Sequence, residues 1–152
     1  MRRLQRGEIF ARSQASGASV AKVLLWLQGG YYLLTGVWPL VSIRTFQMVT
    51  GVKTDNLPTG READHWLVMT VGALVTTIAV ALLTAAWRHS EQLEMIVLAI
   101  GSAVGLTAID IVYVTRSVIA PIYLLDAIIE LPLIAAWSVV LIRQMVSAQR
   151  KP

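Results

Sequence analysis

The chain has no cysteine. That excludes disulfides, thiolate metal sites and cysteine nucleophiles, and it leaves the redox compartment open. Charge is scarce as well: 14% of the 152 residues are Asp, Glu, Lys or Arg, against about 25% in soluble domains. There are two histidines, His65 and His89. Neither sits in an HExxH pattern, so His65 beside Glu62 and Asp64 makes a poor metal site. Ser102, Ser117 and Ser138 have no adjacent histidine, and no GxSxG or phosphate-cradling glycine loop occurs. The sequence therefore names no catalytic residue, implies no metal or cofactor, and leans away from an enzyme.

What the chain does have is long uncharged apolar runs, and 56% of it is hydrophobic. Val23 to Ile43 and Trp66 to Trp87 carry no charge at all. Met95 to Val114 is interrupted only by Asp110, and Ala120 to Ile142 only by Asp126 and Glu130. A bilayer span needs about 20 apolar residues, so these runs predict four transmembrane helices, near 22–43, 64–87, 93–115 and 120–143. The expected fold is an all-α polytopic membrane protein, a compact four-helix transmembrane bundle. Residues 20–145 form its one domain, because short links oblige the spans to pack together. Residues 44–63 form an outer loop, where Thr59 and Glu62 resemble a capping box ahead of Trp66. Phe46, Met48 and Val49 suit the membrane interface.

Residues 1–19 read as a mobile basic tail, with Leu4, Ile9 and Phe10 able to lay a short helix on the membrane surface, and 146–152 as a second basic tail. The run after residue 19 is too long for a signal-peptide core and has no cleavage pattern behind it. The formal charge of +4 does not point to nucleic acid, because the basic residues lie at the chain ends and beside the spans. Arg2, Arg3, Arg6, Arg12, Lys22, Arg88, Arg143, Arg150 and Lys151 fall on one side, and Arg44, Lys53, Arg61 and Arg116 on the other. The positive-inside rule then puts both termini in the cytosol. A bacterial inner membrane is the expected location. Trp26, Trp38, Trp66, Trp87 and Trp137 all fall where interfacial aromatic belts would lie.

Helical spacing sorts the polar residues of the spans. Gln28, Tyr32 and Thr35 share a face of span 1. Thr70, Ala73, Thr77, Ala81 and Thr84 make a small-residue stripe on span 2. Ala103, Thr107 and Asp110 share a face of span 3 with Tyr113 on its flank. Tyr123, Asp126, Glu130, Leu133 and Trp137 share a face of span 4. At 1.5 Å per residue, Asp126 lies roughly 9 Å, Glu130 roughly 15 Å and Asp110 roughly 7 Å below the outer ends of their spans. A charged residue near a span centre costs about 2.5–3.5 kcal/mol on insertion scales, and no Lys or Arg lies inside a span to offset it. Arg44 and Arg116 are placed to snorkel toward Asp110 or Asp126. Glu130 is expected to be protonated, bonded to a group such as Tyr32, or opposite a bound cation. The mid-span pair Tyr31 and Tyr32 is expected to bond between helices. Pro132 frees the carbonyl of Ile128, which suits either a small polar pocket or a simple bend.

Two functional readings follow, with a third behind them. In the first, Asp110, Asp126, Glu130, Tyr32, Tyr123 and Gln28 form an outward-facing intramembrane pocket for a small hydrophobic, lipid-like or amine-bearing ligand, or a proton; neutralising Glu130 or Asp126 then abolishes binding and leaves the fold. In the second, the chain is an accessory subunit of a larger membrane complex or a homo-oligomer, gripped through the GxxxG step of Gly101 and Gly105. Proton or ion transport as an oligomer ranks third, since no span carries the paired breaks typical of transporters.

Overall fold

In the computed structural model the described residues are 2–51, 65–88, 90 and 92–149, with side chains described at 20–51, 65–88, 90, 92–147 and 149. They are almost entirely helical, and none is in a strand. Five α-helices follow one another: α1 (Arg2–Val41), α2 (Ile43–Thr50), α3 (His65–Arg88), α4 (Leu93–Thr115) and α5 (Leu124–Gln149), with a 3₁₀ turn at Pro121–Tyr123 ahead of the last. Thr59, Glu62 and Asp64, including the anticipated capping box, lie outside the described residues.

Three segments are long and apolar enough to cross a membrane: His65–Arg88, Leu93–Thr115 and Pro121–Ser147. They coincide closely with three of the expected spans, because uninterrupted Val, Leu, Ile and Ala leave the backbone no option in lipid but its own helical hydrogen bonds. α1 is long enough, but Gln28, Gly29, Gly30, Tyr31, Tyr32 and Thr35 dilute its apolar run. It also starts much earlier than expected. The backbone is helical from Arg2, so the stretch 2–19 continues α1. Arg, Ala and Gln make up half of that stretch and favour helix.

α1 ends at Ser42, whose hydroxyl accepts from the Thr45 amide at 3.4 Å and starts α2. Trp38 ties the corner together: its indole N–H donates to Thr45 Oγ1 at 3.0 Å, and its ring meets Phe46 edge-on at 5.8 Å. α2 stops at Gly51, whose φ of 63° is the left-handed conformation that glycine adopts without strain.

Packing is pairwise. α1 lies chiefly on α3, and α4 chiefly on α5; α1 also reaches α5, whereas α3 and α4 touch little despite the short turn joining them. The α1–α3 crossing is close because it is built on glycine. A Cβ at Gly36 would stand 2.8 Å from the Thr76 amide nitrogen, and one at Gly72 would stand 2.8 Å from the Gly36 carbonyl oxygen. This is the small-residue packing by which membrane helices gain van der Waals contact. The core holds Leu25, Tyr32, Leu82, Ile96 and Trp137 among its larger side chains.

Two expectations about faces need correction. The stripe Thr70, Ala73, Thr77, Ala81 and Thr84 does not point inward; all but Ala81 are exposed, and Ala81 is half-buried. Its threonines need no interior partner, since Thr70 and Thr77 bond back to the carbonyls of Trp66 and Ala73. The buried face of α3 is Gly72, Val75, Ala79, Leu82, Ala85 and Ala86. Trp137, in turn, is fully buried and does not belong to an interfacial belt, whereas Trp26, Trp38, Trp66 and Trp87 are exposed.

Candidate functional site

Four helices supply the polar interior. α5 brings Asp126 and Glu130, one turn apart on one face, and the 3₁₀ turn places Tyr123 on the same side. α4 brings Thr107 and Asp110, both buried. α1 brings Gln28, Tyr31 and Tyr32. α2 closes over one end, where the Tyr123 hydroxyl comes beside Thr50.

Glu130 is fully buried and doubly served. Tyr32 Oη donates to its Oε1 at 2.8 Å, and Thr107 Oγ1 donates to its Oε2 at 2.8 Å. The carboxyl thereby joins α1, α4 and α5. Tyr31 Oη donates to Asp126 Oδ1, so each tyrosine of the adjacent pair takes one acid of α5, their rings 6.0 Å apart. The anticipated interhelical bonding of Tyr31 and Tyr32 is thus present. Asp110 differs. It is only 7% exposed, and its Oδ2 is buried with no hydrogen-bond partner among the described residues. Arg44 and Arg116 are both exposed at the helix ends, and neither provides that oxygen with a donor. Asp110 and Asp126 both lie close enough to Glu130 to act on it electrostatically.

Below the acids lies a second polar knot. Gln28 is fully buried; its Nε2 donates to the Ala99 carbonyl at 2.8 Å, and its Oε1 accepts from Trp137 Nε1 at 2.7 Å. One amide thus satisfies groups on α4 and α5 together, which explains why it tolerates burial. Ser102 and Gln28 both come within reach of the Tyr32 hydroxyl, so the knot runs up to Glu130.

Of the residues singled out from the sequence, Gln28, Tyr32, Asp110, Asp126 and Glu130 turn inward together, and Tyr123 sits half-buried at their α2 end. Tyr113 is exposed and stands apart. Gly101 and Gly105 lie on the opposite, exposed face of α4, where an added Cβ would meet nothing within 4 Å. α5 stays helical through Pro132, and both Pro132 and Ile128 are exposed, on a different face from the buried Glu130. The sequence reading missed the roles of Thr107, Ser102 and Trp137. The signal for Thr107 was its place one turn from Asp110; for Trp137, its place two turns from Glu130. No family model matches the chain, and no characterised protein or solved structure is significantly similar to it.

Proposed function

We propose that the chain crosses the membrane four times with both termini in the cytosol, and that the α2 end of its interior is an intramembrane carboxylate pocket for a small lipid-like or cationic ligand. The fourth crossing is α1. Its stretch from Val23 to Ile43 has no charge, and the polar side chains that dilute it are matched inside the protein. Gln28 meets Ala99 and Trp137, Tyr31 meets Asp126, and Tyr32 meets Glu130. Polar groups satisfied this way add little to the cost of residing in lipid.

One observation carries the pocket reading. Of three acids turned toward one interior, Glu130 and Asp126 are met by hydroxyl donors, and the buried Oδ2 of Asp110 has no donor among the described residues. Intramembrane acids are uncommon because they are costly, and an unmatched one asks for a partner from outside the chain. The knot of Gln28, Trp137 and Ala99 lies on the far side of Glu130 and supports a blind pocket over a continuous conduction path. The test is native mass spectrometry of the protein gently extracted from its own membrane. A small adduct on the wild type that is lost in the double variant Asp110→Asn/Asp126→Asn supports the pocket. A stoichiometric protein partner with no adduct turns the reading toward an accessory subunit.

That second reading has an observation of its own. Gly101 and Gly105 present open backbone on the exposed face of α4, the surface on which a second helix packs closely. If it holds, Gly105→Leu releases the chain from its complex and Glu130→Gln does not.

A further inference from the structure

The pocket reading leaves open what the ligand offers to the acids, and the three carboxyls are not equivalent. Both oxygens of Glu130 accept from hydroxyls of the chain, and Asp126 holds the hydroxyl of Tyr31. These bonds span α1, α4 and α5, so a ligand that took them over would have to separate helices. Asp110 Oδ2 has no hydrogen-bond partner among the described residues and is shut off from solvent. It is an acceptor awaiting a donor, in a place where an unmet acceptor is costly.

The chemistry of that donor is narrowed by two further facts. Among the described residues no group of three or more His, Cys, Asp or Glu side chains is gathered closely enough to hold a metal ion. The acids sense one another, yet they do not surround one point, which disfavours a hard cation needing six or more oxygens. A single carboxylate oxygen in an apolar surround instead suits an N–H group that brings its own positive charge, since a charge-assisted hydrogen bond is the stronger kind. The second fact is position. Asp110 is 7% exposed, whereas Ile109 and Ile111 beside it are 54% and 42% exposed. Its two neighbours turn outward while the carboxyl turns inward, five residues from the end of the apolar span Leu93–Thr115, so a head group reaching it leaves an attached tail among lipid.

Resting on the pocket reading, we propose that Asp110 is the ligand-docking carboxylate and that it takes the protonated, N–H-bearing amine of a membrane-soluble amphiphile. Glu130 and Asp126 stay bonded to their tyrosines and hold the helices around it. The amine arrives either as a free single-chain amphiphile or as the head group of an aminophospholipid.

The experiment is calorimetric titration of the full chain in phosphatidylcholine nanodiscs with three twelve-carbon probes. Dodecylamine has charge and N–H, dodecyltrimethylammonium has charge alone, and dodecanol has neither charge nor N–H. The wild type should bind dodecylamine at least tenfold more tightly than the trimethyl compound. Asp110→Asn should lose that preference, Asp110→Glu should recover part of it, and Glu94→Gln, an exposed acid at the other end of α4, should keep it. An unchanged unfolding temperature in Asp110→Asn shows that the fold is intact; the Asp110→Glu rescue decides the matter if it is not. Nanodiscs containing phosphatidylethanolamine distinguish the sources: competition with dodecylamine identifies a lipid head group, and no competition a free amine. Equal binding of the two cations by the wild type, or a preference that survives in Asp110→Asn, overturns the assignment and leaves the pocket standing. If none of the three probes binds and no adduct accompanies the extracted protein, the pocket reading falls as well.

Discussion

At the scale of single residues, Glu130 and Asp110 are both buried acids, yet Glu130 accepts from Tyr32 and Thr107 while Asp110 Oδ2 has no donor among the described residues. Periodicity put Asp126 and Glu130 on one face of α5 and Thr107 with Asp110 on one face of α4, because helical spacing alone determines which residues share a side. It did not say which acid would be satisfied. That depends on how far helices are rotated against each other, and only the packed structure settles it: Glu130 receives two hydroxyls while Asp110 Oδ2 receives none. The difference predicts opposite behaviour on substitution. Glu130→Ala strips the acceptor from two donors, Tyr32 and Thr107, and each buried group left unmet costs about 1–3 kcal/mol. The variant should therefore unfold at clearly lower temperature in detergent, whereas Glu130→Gln, which keeps an acceptor oxygen, should lose far less. Wild-type stability in Glu130→Ala would mean that those hydroxyls find other acceptors. Gln28 and Trp137 make a second case. Each is buried and each is the other's partner, so a double-mutant cycle with Gln28→Leu and Trp137→Phe should give a coupling of about 0.6 kcal/mol, the average for interhelical hydrogen bonds in membranes, and at most about 1.7 kcal/mol. No coupling would show that the two contribute independently.

At the scale of elements, length and apolarity made α3 and α4 readable to within a residue and α5 to within six, while glycine pairing was not readable at all. GxxxG at Gly101 and Gly105 stands out as a motif, yet that face is open. The crossing that depends on glycine uses Gly36 and Gly72, which lie on different helices and form no local pattern. Spacing within one helix cannot reveal a contact that exists only between two. The stripe of Thr70, Thr77 and Thr84 misled for a related reason: in lipid a threonine at helical spacing need not face the interior, since it can bond back to its own helix. The two kinds of glycine should separate cleanly by measurement. Gly72→Ala sets a Cβ 2.8 Å from the Gly36 carbonyl oxygen and 2.9 Å from Pro39, an overpacking that costs about 1–3 kcal/mol. Gly105→Ala meets nothing within 4 Å and exchanges a poor helix former for a good one, a gain of up to about 1 kcal/mol. Thermal unfolding of the two variants in one detergent should move in opposite directions. A Gly72→Ala protein as stable as wild type would show that α1 and α3 are free to slide apart.

At the scale of the whole molecule, the chain behaves as two helix pairs, α1 with α3 and α4 with α5, joined along an interior that is mostly apolar but polar toward the α2 end. Leu25, Leu82 and Ile96 pack in the part beyond the knot, while at the α2 end hydroxyls and carboxyls do the joining. Under the proposed topology all four long helices seal that interior from lipid, so the proposed crossing of α1 matters more than its modest apolarity suggests. The absence of cysteine makes the proposed topology directly testable, since any thiol introduced is the only one present. Thr115 and Ser90 stand at opposite ends of α4. With four crossings and both termini inside, Thr115→Cys should react in intact cells with a membrane-impermeant maleimide, and Ser90→Cys only after the cells are opened. The α1 crossing is decided by a third thiol, placed at Arg2. If α1 spans, Arg2→Cys is protected together with Ser90→Cys. If α1 lies along the surface and only three helices cross, Arg2→Cys labels together with Thr115→Cys, the polar interior loses one wall, and Gln28, Tyr31 and Tyr32 cannot hold α4 and α5 from within the membrane.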